Sequence, residues 1–209
     1  MTDKKYVITI GRQFGSGGHD IGRRLAERLG IGFYDKELLL EAARQSGMNP
    51  ELIKKADERL PSFYIGNLSM SIGYYIQPFH SSASTIYYEA IQSAIREMIE
   101  QLAEKESCVV VGRCADYLLR QNPNCINIFI SAPADDCAER VARRLSISID
   151  EARDKVEKEN KLRADYYNFY TDRQWGQADT YDLCIDSSKI GEDAAIDIII
   201  AYAKARLAI

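Results

Sequence analysis

The sequence predicts an α/β fold in which a parallel five-stranded sheet lies between two layers of helices. Short apolar, β-branched runs alternate along the chain with amphipathic segments of helical period. Several of these runs are continuously apolar, as expected of strands that are covered on both faces. With 209 residues, the chain is long enough for one domain with a sizeable core. We therefore expect a single domain over residues 1–209.

The strand candidates are short and separated by intervals that leave room for helices. The first strand stops at a glycine-rich turn, and the second is a brief aromatic run. The five predicted strands cover residues 6–10, 32–34, 108–112, 126–132 and 181–186.

Helical patterns fill the intervals between the strands. In the first helix, Ile21, Leu25 and Leu29 lie on one face and Gly30 ends the pattern. A later helix begins with the capping-box pattern Ser148-x-x-Glu151. The predicted helices cover residues 18–29, 36–46, 50–58, about 84–105, 115–121, 134–145, 149–170 and 192–207.

Composition excludes several classes of protein. The net charge of −4 argues against a cationic nucleic-acid binder. No apolar run is long enough to cross a membrane, and the first residues, MTDKK, lack the hydrophobic region of a signal peptide. The five cysteines form no C-x-x-C pair, which is typical of reduced core thiols in a cytoplasmic protein. A catalytic cysteine with His19 or His80 as its base is the alternative.

The most informative segment is residues 11–20, G-R-Q-F-G-S-G-G-H-D, between the first strand and the first helix. A strand, a glycine-rich turn and a helix N-terminus together point several backbone N–H groups at one place, which is typical of phosphate-binding sites. A full phosphate loop reads G-x-x-x-x-G-K-[ST], and here Gly18 stands where the lysine is expected. The loop therefore predicts phosphate binding and leaves phosphoryl transfer open. A tight β–α connection without a ligand is the alternative.

Two other regions depart from the regular alternation. Residues 61–88 are rich in aromatic residues, serine and glycine, which favours a flap over a ligand; a surface hairpin or a dimer contact is the alternative. Residues 148–175 carry many basic side chains followed by tyrosines. Because acidic residues are interleaved, this charge forms either a solvated helix face or a basic helical segment over phosphates.

Several motifs together resemble the nucleoside monophosphate kinases, and most closely their cytidylate kinase-like branch. In register with the G-P-S-G-A-G-K-G-T loop of the cytidylate kinases, the chain has R-Q-F-G-S-G-G-H-D at 12–20. The family's short strand ending in aspartate is similar to F-Y-D at 33–35, and its D-G-R-D motif matches V-V-G-R at 110–113 in the glycine and arginine only. Its K-I-F-L strand, E-R-A-x-R-R helix and final L-D-S-T resemble N-I-F-I at 127–130, E-R-V-A-R-R at 139–144 and C-I-D-S-S at 184–188.

The resemblance covers nearly the whole chain and implies a three-layer P-loop kinase-like fold. It implies an acceptor-binding or flap insertion at about 36–105 and a helical lid at about 146–175. It also implies ATP with Mg²⁺ as the donor and a small phosphorylated acceptor such as CMP. A homodimer is compatible with this reading.

The resemblance implies roles for individual residues as well. Arg12, Arg144 and Arg163 would supply catalytic charge, while Asp35 and Arg113 would hold the acceptor. Asp20 replaces the loop threonine and would offer an oxygen ligand to Mg²⁺, and Val111 replaces the central aspartate. The donor phosphates would lie against Gly11, Gln13, Gly15, Ser16, Gly17, Gly18, His19 and Asp20.

Each of these residues also has a plainer interpretation. Asp35 is a candidate helix N-cap, and Arg113 is a candidate for a buried ion pair. Of Arg140, Arg143 and Arg144, we expect only one or two to face a ligand.

The sequence is also compatible with more than one function. The missing lysine favours a nucleotide-binding protein without kinase activity, and the arginine set favours an enzyme. A kinase with a different small acceptor, selected by the aromatic segment at 61–88, is the third hypothesis.

Overall fold

In the computed structural model, residues 5–35 and 82–207 are described. Their strands form one five-stranded sheet in which every pairing is parallel, as predicted. The order across the sheet is β2-β3-β1-β4-β5. The strands are β1 (Val7–Arg12), β2 (Gly32–Tyr34), β3 (Cys108–Val111), β4 (Cys125–Ser131) and β5 (Leu183–Asp186).

The helices agree with the sequence pattern in position and differ at some ends. They are α1 (Gly18–Leu29), α2 (Ser82–Lys105), α3 (Ala115–Leu118), α4 (Ala134–Leu145), α5 (Ile149–Thr171) and α6 (Ser187–Leu207). Helix α3 is shorter than predicted. Helix α6 starts earlier than predicted but has a non-helical residue at Gly191 (φ 77°, ψ 170°), so the regular part begins where the pattern placed it. The helices predicted at 36–46 and 50–58, and most of the aromatic segment at 61–88, lie outside the described residues.

The core lies on both faces of the sheet because successive strand residues point in opposite directions. On one face, Ile8 of β1 packs with Leu25 of α1 and Ile196 of α6, and all three side chains are fully buried. On the other face, Val7 packs with Ile99 of α2. This three-layer arrangement confirms the predicted fold class and explains why the central strands are apolar along their whole length.

The strand order places the glycine-rich loop at the middle of the sheet. The chain leaves β1 for the edge strand β2, returns to β3 beside β1, and then crosses to β4 on the other side of β1. In open parallel sheets, ligands bind beyond the carboxyl ends of the strands where the order changes direction. The residues that follow β1 and β3 lie at that point.

The predicted capping box at the start of α5 is present. The Ser148 hydroxyl accepts a hydrogen bond from the Glu151 N–H at 3.3 Å, and the Glu151 carboxylate accepts one from the Ser148 N–H at 3.0 Å. Two N-terminal N–H groups of the helix are thereby satisfied. In the described part of the chain, no helix is long and apolar enough to cross a bilayer.

Candidate functional site

The loop between β1 and α1 is a tight turn with glycines where the backbone requires them. Gly15 and Gly17 have φ angles of 84° and 81°, in the left-handed region that favours glycine. A Cβ on Gly15 would lie 2.7 Å from the Cys137 carbonyl oxygen, so the loop also packs closely on α4. Helix α1 begins at Gly18, and its first N–H groups face the space in front of the loop.

Two of the predicted phosphate-binding side chains instead hold the loop in shape. Ser16 is fully buried, and its hydroxyl donates to the Gln13 carbonyl oxygen at 2.9 Å. The Gln13 side chain accepts a hydrogen bond from the Ala132 N–H at 3.0 Å, just beyond β4. The Ser187 hydroxyl donates to the Ser16 carbonyl oxygen at 2.6 Å. The contribution of Ser16 to an anion is therefore confined to its backbone.

A cavity of about 300 Å³, which we call the loop cavity, opens in front of this loop. Its arginine side chains come from three different elements. Arg12 is the last residue of β1, Arg140 and Arg144 lie on α4, and Arg163 lies on α5. The remaining lining residues are Gln13, Phe14, Gly15, Gly17, Gly18, His19 and Asp20. Four guanidinium groups around a helix N-terminus make an environment that attracts polyphosphate.

The Arg12 side chain runs between two glycines. A Cβ on Gly18 would lie 2.6 Å from the Arg12 Cβ, and a Cβ on Gly112 would lie 2.4 Å from the Arg12 Nη1. Neither position therefore accommodates a larger residue while Arg12 keeps its place. The arginine passes from the end of β1, over the start of α1, to the end of β3.

Arg113 lies at the carboxyl end of β3 in an unusual backbone conformation. Gly112, Arg113 and Cys114 all have positive φ angles, of 79°, 58° and 55°. Left-handed conformations are costly for arginine and cysteine, and such strain is concentrated at functional sites. Arg113 is only 4% exposed, so the turn holds a buried guanidinium at the end of the central strands.

A second cavity of about 330 Å³, the tyrosine pocket, lies on the other side of Arg113. Its aromatic walls are Tyr117, Tyr166 and Tyr170, and Gln92 and Arg96 of α2 add polar groups. The Tyr166 hydroxyl donates to the Gln92 side-chain oxygen at 2.6 Å, which joins α5 to α2 across the pocket.

A narrow space of about 30 Å³, the central gap, lies between the two cavities. Arg12 and Arg163 line both the central gap and the loop cavity. Arg113 and Tyr166 line both the central gap and the tyrosine pocket. The two cavities therefore meet at a point that three guanidinium groups surround.

Helix α5, the main part of the predicted lid, is held against the loop. Arg163 Nη1 donates to the Arg12 carbonyl oxygen at 3.1 Å, and the Phe14 N–H donates to the Asn160 side-chain oxygen at 2.7 Å. Both contacts join residues far apart in sequence, and neither is implied by the local pattern.

The same helix is anchored on its other side by a buried carboxylate. Asp116 of α3 is 7% exposed, and its Oδ2 accepts a hydrogen bond from the Tyr167 hydroxyl at 2.5 Å. Burial raises the pKa of Asp116, and the hydrogen bond from Tyr167 opposes that rise. The pKa of Tyr167 is also raised, first by burial and then by the neighbouring charge of Asp116. Since α3 follows the Arg113 turn, this contact connects α5 to that turn.

Asp35, predicted to hold the acceptor, contacts the glycine-rich loop. Its Oδ2 lies 2.9 Å from His19 Nε2, and His19 Nδ1 lies 3.6 Å from the Asp20 carboxylate. His19 also meets Phe33 edge to face, with the ring centroids 5.5 Å apart. The end of β2 is thereby connected to the first turn of α1. The predicted helix that Asp35 would cap lies outside the described residues.

Phe14 and Asn160 are site residues that the sequence reasoning did not select, whereas Arg140 was one of three α4 arginines of which one or two were expected to face a ligand. Arg140 Nη1 donates to the Gly15 carbonyl oxygen, and Arg140 lines the loop cavity together with Arg144. The spacing of four residues between these two arginines places them on one helix face, and this is why they line the cavity together while Arg143 is absent from the lining residues that the structure describes. The contact of Asn160 with the loop depends on how α5 packs and has no sequence signal.

Within residues 5–35 and 82–207, no group of three or more His, Cys, Asp or Glu side chains could hold a metal ion by itself. Mg²⁺ in phosphoryl-transfer sites is held by one or two carboxylates, by water and by substrate phosphates. The half-exposed Asp20 carboxylate lines the loop cavity and fits that limited role. The site thus suits a metal that arrives with a nucleotide.

The cysteines are free thiols, and Cys108, Cys114, Cys125 and Cys137 are buried while Cys184 is exposed. Burial raises the pKa of the Cys108 and Cys125 thiols to about 12. Neither is a thiolate at neutral pH, so this geometry gives no support to nucleophilic catalysis by them.

Comparison with known sequences identifies the relatives of this chain. A model of the cytidylate kinase-like family matches residues 7–189. The cytidylate kinase of Pyrococcus furiosus is 31% identical over 196 residues, which cover 92% of this chain and 85% of the relative. The cytidylate kinase of Methanopyrus kandleri is 27% identical over 202 residues, which cover 92% of this chain and 90% of the relative.

Comparison with solved structures supports the same fold. A crystal structure of a protein from Eubacterium ventriosum has a TM-score of 0.73 and 33% identity, and the match covers 97% of this chain and 100% of that one. The shikimate kinase of Acinetobacter baumannii, solved with shikimate, has a TM-score of 0.53 at 15% identity, covering 97% and 95% of the two chains. The second likeness concerns the fold alone.

Proposed function

Because this chain belongs to the cytidylate kinase-like family, we propose that it transfers the γ-phosphoryl group of ATP to a nucleoside monophosphate such as CMP. The single observation that carries the proposal is the meeting of two cavities at the central gap. One cavity has the anion-binding features of a donor site, and the other has the size and aromatic walls of an acceptor site. Phosphoryl transfer needs donor and acceptor in line, with positive charge between them.

On the donor side, the backbone of residues 15–20 and the N-terminus of α1 bind the phosphates of ATP. Arg144 and Arg163 approach from α4 and α5, and Arg12 approaches from β1. Guanidinium groups are suited to this task because they remain charged and donate two parallel hydrogen bonds to phosphate oxygens. Their attraction is strongest when charge builds up on the transferring group in a site that excludes water.

On the acceptor side, Arg113 holds the phosphate of the monophosphate at the central gap. Its buried position and strained turn supply a guanidinium whose orientation is fixed before the substrate binds. The tyrosines of the neighbouring pocket offer flat surfaces for a planar base. Asp35, which is joined to the loop through His19, is assigned to the same side on the family resemblance.

Bound together with ATP, Mg²⁺ would supply positive charge that offsets the charge of the phosphates. In this chain, Asp20 is the residue that we assign to hold it, because its carboxylate lines the loop cavity in the first turn of α1.

A nucleotide-binding protein without kinase activity is the alternative, and the absence of the loop lysine is the observation that favours it. The position of Arg12 supports kinase activity instead. Its side chain fills the space beside Gly18 and reaches the central gap, so a cation is present near the place that the lysine would serve.

The test is an ADP-release assay with ATP, Mg²⁺ and a panel that contains CMP, dCMP, UMP, AMP and GMP. We expect release that depends on the monophosphate and is fastest with a pyrimidine. Release no faster than the buffer blank with every monophosphate, in a protein that still binds ADP in a calorimetric titration, would establish the alternative.

A further inference from the structure

Phe14 has a position in the loop that neither the resemblance nor the proposed reaction explains. The cytidylate kinase loop pattern G-P-S-G-A-G-K-G-T has a serine at this point of the register, whereas this chain has an aromatic ring. The Arg144 Cζ lies 5.5 Å from the centroid of that ring, and the Arg163 Cζ lies 5.4 Å from it. The Lys155 ammonium is 6.0 Å away. These distances are within the range of cation–π attraction.

The ring itself is firmly held. The Phe14 N–H donates to the Asn160 side chain, which fixes the backbone against α5. The side chain packs on a small apolar cluster between α4 and α5 whose buried members include Ala138, Val141 and Val156. The ring is therefore a fixed surface, and the guanidinium groups of Arg144 and Arg163 lie against it.

Arg144 depends on such a surface more than Arg163, whose Nη1 also donates a hydrogen bond to the Arg12 carbonyl oxygen. Arg144 is exposed near the end of α4, and Arg163 extends from the middle of α5. A long side chain in water has many rotamers, and holding it over a phosphate costs conformational entropy. Contact with an aromatic face reduces this cost because the guanidinium is already placed before the ligand arrives.

We propose that Phe14 is a positioning residue whose ring holds the guanidinium groups of Arg144 and Arg163 over the loop cavity. The catalytic part of this inference rests on the proposed function, since those arginines act on phosphate there. The placement of the two guanidinium groups does not depend on turnover and is testable separately.

The competing explanation is that Phe14 only fills space in the apolar cluster. Three variants separate the two roles. Phe14→Leu keeps an apolar side chain but removes the π face, and Phe14→Tyr keeps the ring. Val156→Ala disturbs the same cluster but keeps the aromatic ring of Phe14 and both arginines in the chain.

The first measurement is NMR of the arginine side-chain Nε–Hε signals, assigned with Arg144→Lys and Arg163→Lys. Protons beside an aromatic ring carry ring-current shifts. We expect both signals to be displaced in the wild type and in Phe14→Tyr, to lose the displacement in Phe14→Leu, and to move in the wild type when ADP is added. Unchanged signals in Phe14→Leu would overturn the proposal whether or not the protein turns over ATP.

The second measurement is turnover with the best monophosphate. We expect Phe14→Leu to lower kcat by about 5- to 30-fold, as the loss of one or two such contacts implies, with the ADP affinity changed less than about threefold. Phe14→Tyr should restore kcat, and Val156→Ala should lower the melting temperature but not kcat. An equal loss of kcat in Val156→Ala would mean that Phe14 acts by packing alone. If the wild type has no turnover at all, the proposed function fails, and the NMR result alone decides the positioning role.

Discussion

A Cβ atom on Gly18 would lie 2.6 Å from the Cβ of Arg12, so these two positions share one space. In the family register, position 12 is glycine and position 18 is lysine, whereas this chain has arginine and glycine. This chain therefore carries a large cationic side chain at the end of β1, whereas the cytidylate kinase loop pattern has its cation in the first turn of α1. The glycine at 18 follows sterically from the arginine at 12.

This exchange predicts that restoring the lysine alone is harmful. Gly18→Lys should destabilise the fold by about 1–3 kcal/mol, the usual cost of overpacking, and should lower turnover. The double variant Arg12→Gly, Gly18→Lys removes the collision and should recover turnover and melting temperature relative to Gly18→Lys. Thermal melts and steady-state rates of the two single variants and the double variant test this. A Gly18→Lys protein as stable and active as the wild type would show that the two side chains do not compete.

The arginines of the central gap should act mainly on the transition state. We expect Arg12→Ala and Arg163→Ala each to lower kcat by about 10- to 100-fold, which corresponds to the loss of one hydrogen bond between charged groups. The ADP affinity should fall much less, because the contacts strengthen as charge develops on the transferring phosphoryl group. Nucleotide titration and steady-state kinetics give the comparison.

Arg143→Ala is the matched control for those two variants. Arg143 is an exposed arginine of α4 and is absent from the residues that line the loop cavity in the described part of the chain. Its removal should leave kcat within about twofold of the wild type, as is usual for a surface substitution. Equal effects of all three substitutions would mean that general surface charge, and not the central gap, carries the activity.

Arg113 should determine the affinity for the acceptor. Arg113→Lys removes a bidentate contact and should weaken acceptor binding by about 1.5–3 kcal/mol, seen as a rise in KM for the monophosphate with ATP binding largely unchanged. Arg120→Lys, an exposed substitution nearby on the chain, serves as the control. A large drop in the melting temperature of Arg113→Lys would show instead that this guanidinium is part of a structural ion pair.

Asp116 should make stability depend on pH. Burial raises its pKa above the ordinary value of 3.8, so the folded state binds a proton more tightly than the unfolded chain. The stabilisation from this proton is complete below pH 3.8 and is lost as the pH rises through the higher pKa of the folded state. The amide side chain in Asp116→Asn keeps an oxygen that can accept a hydrogen bond from the Tyr167 hydroxyl, but this side chain does not titrate.

The difference in melting temperature between the wild type and Asp116→Asn measures this effect across the acidic range. We expect the melting temperature of the wild type to fall relative to that of Asp116→Asn as the pH rises above about 4. This lower limit is set by the ordinary pKa of an aspartate in the unfolded chain. A difference that is constant with pH would contradict a raised pKa for Asp116. Asp179→Asn, in the 3₁₀ turn before β5, provides a control outside the α3–α5 contact.

The sequence by itself determined the parallel sheet, the loop after β1, the capping box at Ser148 and the position of Arg113 at the end of β3. Each of these depends on residues close together in the chain. A β-branched run, a glycine turn or an S-x-x-E pattern restricts the local backbone whatever surrounds it. Burial on both faces also follows from continuous apolar strands, since such strands must be covered on both sides.

Only the tertiary structure decided which cations meet at the site and how they are held. The position of Arg12 between Gly18 and Gly112 requires β1, α1 and β3 to pack together. The hydrogen bond from Phe14 to Asn160, and the choice of Arg140 and Arg144 as lining residues, likewise depend on where α4 and α5 lie over the loop. Such contacts join residues that are distant in sequence. No local preference specifies them, because their geometry is set by the packing of whole elements against the sheet.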